Sequence, residues 1–153
     1  MKKLLVIFLL LLVACAQSDD VQDDVTNLNN LGVYYSDQGE PDKAIEYFEQ
    51  VLDIETRHEF ARKNLALLYF NQNNFNMSMY HFNILTNYYP NNPSYHYDLG
   101  ISIAENCRLK SICDLPSAIK EFQRADELEP GYEMAIENID ALVIVMQDLN
   151  STS

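Results

Sequence analysis

Three cysteines, three histidines and a few paired carboxylates are the residues of this chain that could do covalent, acid–base or metal chemistry. His58, His81 and His96 stand apart, and no His-Glu-x-x-His pattern brings two of them to one metal. No glycine-rich phosphate loop and no Gly-x-Ser-x-Gly elbow occurs. Glu46 with Glu49, and Asp126 with Glu127, are charges of the kind that solvated helix faces carry. The expectation is therefore no catalysis, no metal, no cofactor and no small-molecule substrate. Cys107 and Cys113 leave three states open: a bridge, two free thiols, or a metal pair. Zinc sites favour tighter cysteine pairs with two further ligands nearby. A redox dithiol favours tighter spacing at a helix start. In an oxidising compartment the pair would form a structural disulfide, worth about 2 kcal/mol for so short a loop in the chain-entropy model.

Cys15 belongs to a different context. Met1-Lys2-Lys3 is basic, and Leu4 to Val13 is an unbroken apolar run. That run is too short to cross about 30 Å of hydrocarbon as a helix, so it reads as an export signal and is left out of the fold. Leu12-Val13-Ala14-Cys15 resembles the bacterial lipobox, in which a signal peptidase cuts before the cysteine. The resemblance implies residues 1–14 as a lipoprotein signal peptide, a diacylglycerol thioether on Cys15 and a fatty amide, such as palmitate, on its new amino group. Each buried methylene is worth about 0.8 kcal/mol, and two or more chains make a stable anchor. Ala16 follows the cysteine where an Asp would favour inner-membrane retention, which favours the outer membrane, facing the periplasm. Residues 15–24 are acidic and polar apart from Ala16 and Val21. They read as a flexible, self-repelling tether. Beside a bacterial leader, the glycosylation sequons Asn76-Met77-Ser78 and Asn150-Ser151-Thr152 read as chance matches.

The elements that must position anything functional follow from the remaining sequence. At 153 residues the prior is one small domain. A hydrophobic share of 48% is enough to bury a core, and the scarcity of Gly and Pro suits long helices. The formal charge is −13; removing Lys2 and Lys3 with the leader leaves eight basic and 23 acidic residues, or −15. A surface that acidic repels nucleic acid and anionic headgroups.

Self-similarity decides the fold class. Leu31-Gly32, Leu65-Ala66 and Leu99-Gly100 recur every 34 residues, and Tyr35, Tyr69 and Ile103 follow at a fixed offset. Ala44, Ser78 and Ala118 come next, then Phe48, Phe82 and Phe122, then Val51, Leu85 and Ala125. Pro90 and Pro130 close the second and third units, because proline cannot continue a helix. Gly39-Glu40-Pro41 and Asn73-Asn74 are turn signals between paired helices. Gly32, Ala66 and Gly100 are expected where one helix presses on the next, Ala44, Ser78 and Ala118 facing them, and the phenylalanines between neighbouring pairs. The length, spacing and residue types resemble the tetratricopeptide-repeat (TPR) family over about Val25 to Pro130. The resemblance implies an all-α fold: an α-solenoid of three helix hairpins at 25–58, 59–92 and 93–130, a capping helix over 131–149 and a tail at 150–153. Terminal solenoid helices need a polar outer face. Ile136, Ile139, Leu142, Val143 and Met146 are expected to pack inward, with Glu133, Glu137, Asp140 and Gln147 in water.

Phe82 and Phe122 are 40 apart rather than 34. The six extra residues fall between Ile103 and Ala118, in the turn of the third hairpin, and bring in Cys107 and Cys113. Arg108 and Lys110 make that turn a small basic spot.

In the family it resembles, the first helix of each pair lines a concave, peptide-binding groove. Here that implies Asn29, Val33 and Ser36; then Lys63, Leu67, Phe70 and Asn71; then Tyr97, Ile101, Ala104 and Glu105. Leu67, Phe70, Tyr97 and Ile101 form an apolar strip with polar neighbours, suited to an extended peptide or an amphipathic helix. Only Lys63 is basic among them, which disfavours an acidic tail as ligand. The resulting expectation is a membrane-anchored scaffold or assembly factor of the bacterial envelope, as in pilus, secretin or outer-membrane assembly. A self-associating structural module and a cytosolic adaptor are the alternatives.

Overall fold

The computed structural model describes residues 22–109, 114–132 and 134–151, and all of its regular elements are α-helices. Helix α1 covers 22–37. It is followed by α2 (Pro41–Ile54), α3 (Glu59–Asn71), α4 (Phe75–Tyr88), α5 (Pro93–Leu109), α6 (Leu115–Leu128) and α7 (Ala135–Ser151). The fold is the all-α class expected from the repeat: hairpins α1–α2, α3–α4 and α5–α6, then one terminal helix. The leader, Cys15, Lys110, Cys113 and Glu133 lie outside the described residues. The chain divides into two compact units, Met1–Ala61 and Arg62–Ser153.

In the first unit, α1 ends at a turn whose residue types dictate its shape. Gly39 has φ 71°, the left-handed region that glycine enters without a Cβ penalty. Its N–H donates to Ser36 O, and the Glu40 N–H donates to Tyr35 O, satisfying carbonyls the helix end leaves open. Pro41 then starts α2, where its missing N–H costs nothing. Ala44, Phe48 and Val51 are fully buried along one stripe of α2. A Cβ on Gly32 would lie 2.6 Å from Phe48 Cε1, so this crossing has no room for any side chain. Tyr35 stacks on Tyr47 at 5.3 Å, and the Lys43 amino group sits 4.9 Å from the Tyr35 ring centre.

The second unit repeats the device. Asn73, with φ 59°, takes the place of Gly39. A Cβ on Gly100 would come 2.9 Å from Phe122, and Ala66 and Phe82 sit in one core cluster with Leu85, Leu99, Ala118 and Phe122. Ser78 replaces the alanine of the other hairpins and is fully buried. Its hydroxyl lies 2.9 Å from that of Ser102, which donates to Asp98 O at 2.8 Å. Ser78 is therefore the donor between the two serines, and neither of their buried hydroxyls is left unsatisfied.

Four expectations need correction. Residues 22–24, assigned to a flexible tether, are helical. Val25, directly after them, is buried. The insertion is only partly a turn. Counted from the end of α3 at Asn71, four of the six extra residues prolong α5 to Leu109. They do so because Cys107 extends the buried Leu99–Ile103 stripe by one more helical step. The rings of Phe48 and Phe122 lie against Gly32 and Gly100 inside their own hairpins, where small residues were expected to face the glycines. On α7, Ile139, Leu142 and Met146 pack onto the core, but Ile136 and Val143 are 46% and 37% exposed. They lie about a quarter turn from the contact stripe.

Candidate peptide-binding face

Lys63, Leu67, Phe70 and Asn71 fall at helical spacing on α3, away from the buried Leu65, Ala66 and Leu68. Tyr97, Ile101, Ala104 and Glu105 repeat that spacing on α5, away from Leu99, Gly100 and Ile103. On α1, described within the first unit, Asn29, Val33 and Ser36 hold the matching positions. None of these side chains is buried. Val33, Leu67 and Asn71 are exposed and the others half-buried.

The aromatic members are held by their neighbours. Phe70 meets Phe75 edge-on at 5.2 Å. Tyr97 meets Phe122 and Tyr132 edge-on at 5.4 and 5.7 Å, and Asn138 Nδ2 donates to its hydroxyl at 3.2 Å. Ring and hydroxyl are thus fixed before any ligand arrives, which lowers the ordering cost of binding. Ile101 and Ala104 rest partly on the core cluster. Glu105 accepts from Arg108 Nε at 2.8 Å, so the basic spot expected near the insertion is half neutralised. Asn29 Oδ1 is buried without a hydrogen-bond partner among the described residues. It is an acceptor whose satisfaction would come from a bound N–H or a water.

Residue types alone did not show what the histidines do. His58 Nδ1 accepts from the Ala61 N–H at 3.1 Å and so caps the start of α3. His96 is buried, with Nδ1 2.7 Å from Glu121 Oε2 and Nε2 3.0 Å from Pro90 O. It ties α5 to α6 and to the turn before α5, beside a polar depression of about 320 Å³ lined by Lys120, Glu121, Gln123, Arg124 and Glu127. His81 is 5% exposed, stacks on Tyr69 at 5.7 Å and has no hydrogen-bond partner for either nitrogen among the described residues. Burial, and then the Arg62 guanidinium, push its pKa down to about 4. Arg62 and His96 are 34 residues apart, and His81 and Glu121 are 40 apart, the repeat plus the insertion. The second and third hairpins thus carry a polar pair at one repeat position, where the first has Leu28 and Tyr47. Only the 34-residue period could have revealed that pairing beforehand. Among the described residues no group of three or more His, Cys, Asp or Glu could hold a metal ion.

Comparison with known proteins agrees with this geometry. Residues 28–55 match the family model described as "Tetratricopeptide repeat". No curated protein matches the chain. Among solved structures, the first TPR of Spaghetti (RPAP3), bound to the HSP90 peptide SRMEEVD, is similar at 20% identity and a TM-score of 0.70. It covers 82% of this chain and 94% of that one. A fragment of MamA from Desulfovibrio magneticus RS-1 is similar at 16% identity and 0.70, covering 83% and 68%. The second TPR domain of human RPAP3, in complex with the HSP70 peptide SGPTIEEVD, follows at 14% and 0.68, covering 80% and 97%. At these identities the likeness establishes the fold: the chain carries a tetratricopeptide repeat at residues 28–55 and shares the helix-hairpin fold of TPR domains.

Proposed function

We propose that this chain is a lipid-anchored interaction scaffold or assembly factor of the bacterial envelope that holds a protein segment against the first helices of its second and third hairpins. The observation that carries the reading is the open apolar face on α3 and α5. Leu67 keeps 37% of its surface in water although α3 buries most of its other apolar side chains. Beside it in sequence and register are a pinned Phe70 and, on α5, a pinned Tyr97. Aromatic anchors set among polar side chains suit an extended peptide or an amphipathic helix. Two TPR domains of similar fold hold peptides ending in Glu-Glu-Val-Asp, which supports a peptide-sized ligand. Lys63 is the one base among the residues named for this face, so a less acidic segment is the better fit here.

The anchor rests on sequence: the short apolar leader and Leu12-Val13-Ala14-Cys15. No described helix is long and apolar enough to cross a membrane. Cleavage before Cys15 followed by acylation tethers the chain to the outer membrane on its periplasmic side. Export also favours a Cys107–Cys113 bridge at the end of α5; Cys107 is buried there.

A photocrosslinker placed at Phe70 or Tyr97 in living cells captures one specific envelope protein, identified by mass spectrometry. Recovery of no specific protein defeats the scaffold reading. Labelled palmitate enters the wild-type chain and not Cys15→Ser; equal labelling defeats the anchor. Alkylation of the unreduced, denatured protein leaves Cys107 and Cys113 unmodified, whereas modification of both removes the bridge.

A further inference from the structure

The middle of α7 is apolar without a break: Ala141-Leu142-Val143-Ile144-Val145-Met146. At about 100° per residue such a run encircles the helix. Leu142 and Met146, with Ile139, take up the side that meets the core. The remainder faces outward. Val143 is 37% exposed, Ile144 58% and Val145 45%, with Ile136 at 46% two turns before Val143. Ile144 lies diametrically across the helix from the contact stripe. Three β-branched residues in a row gain little from helix propensity, and Ile144, more than half exposed, gains little from burial. A helix apolar on every side is ordinarily covered on every side, and an exposed patch of this kind marks an interaction surface.

The surroundings of the patch are acidic. Glu137 and Asp140 precede it, Asp148 follows it and Glu129 lies in the connection before α7, all exposed. Helix α7 contains no Lys, Arg or His. We propose that the outer face of α7 docks a basic amphipathic helix of another protein. Its apolar side covers Val143, Ile144 and Val145, and its Lys and Arg residues meet Glu137, Asp140 and Asp148. A second copy of this chain is a poor occupant. The first and last described helices in the sequence, 22–37 and Ala135–Ser151, hold acids and not one Lys or Arg, and the net charge is −13. Like charges brought face to face oppose association. An anionic lipid surface is repelled on the same grounds. None of the residues in this face belongs to the α3 and α5 face, so the two surfaces stand or fall separately.

The test titrates the whole chain into a fluorescent amphipathic peptide of about five helical turns, leucine on one side and lysine on the other. The titration is repeated with glutamate in place of lysine, and with the variants Val143→Ser/Ile144→Ser and Leu67→Ser. The lysine peptide binds, and the glutamate peptide binds at least about tenfold more weakly. The α7 double variant, with unchanged circular dichroism, also loses about tenfold or more, while Leu67→Ser binds as the parent does. Absence of lysine-peptide binding overturns the proposal, and so does equal affinity for the two peptides. Loss in Leu67→Ser without loss in the α7 variant also overturns it, by moving the peptide to the other face. A dimer in sedimentation that the α7 variant dissolves makes a second copy the occupant and overturns it as well.

Discussion

At Gly32 and Gly100 the chain has no spare volume, because the rings of Phe48 and Phe122 already occupy the space a Cβ would take. Gly32→Ala must displace an aromatic ring that is itself fully buried. Overpacking of this kind costs about 1–3 kcal/mol, and urea denaturation should show that loss. His81 gives a second test at this scale. Its pKa falls from 6.5 to about 4 on folding, so the unfolded chain takes up the proton first as pH drops. The stability due to neutral His81 is complete above pH 6.5 and is lost as the pH falls toward 4. Allowing for solvent screening, the loss amounts to about 2 kcal/mol. Melting temperature should therefore fall across that window in the parent and fall less in His81→Leu. Equal slopes would mean that carboxylates alone set the acid response.

At the scale of the element, the turns matter more than helix propensity. Gly39 and Asn73 occupy the same place in their hairpins, both in the left-handed region. Gly39→Ala should cost about 1 kcal/mol, since a Cβ is strained there whatever the space around it; Gly39→Asn should cost less, as Asn73 tolerates the same turn. Comparing the two variants by thermal unfolding checks the claim. The insertion follows the same logic of local packing. Four residues of a six-residue gain in sequence emerge as a longer α5 because Cys107 finds a buried position one step beyond Ile103. Helix α7 shows the limit of pattern reading. Ile136 and Val143 were assigned to the core with Ile139, Leu142 and Met146, yet a helix that packs on one side can bury only one stripe.

For the molecule as a whole, the two proposed surfaces should differ in their response to salt. The α3 and α5 face is largely apolar, and Glu105 is already paired with Arg108. Its captured partner should bind with an affinity that changes little between low and high ionic strength. Leu67→Ser and Tyr97→Ala should each weaken it about tenfold without unfolding the chain. The α7 face is ringed by carboxylates, so binding there should weaken steeply as salt rises. Peptide titrations at two salt concentrations separate the cases.

The 34-residue period, together with the family resemblance it carries, determined that the chain is helical and forms hairpins, with Gly32 and Gly100 at their crossings. Small-against-large complementarity is a local requirement, and it is written in residue type and spacing. That the positions named for the peptide-binding face on α1, α3 and α5 stay unburied was legible for the same reason, since they are left over once the packed stripe is assigned. Only the tertiary structure decided the matters that depend on which atoms meet across helices. It set Phe48 and Phe122 against Gly32 and Gly100, paired His96 with Glu121, and left His81 beside Arg62 with no hydrogen bond to its ring among the described residues. It also put Val143, Ile144 and Val145 in water. An amino-acid pattern states which residues are apolar; how many of them find a neighbour depends on how many neighbours the fold provides.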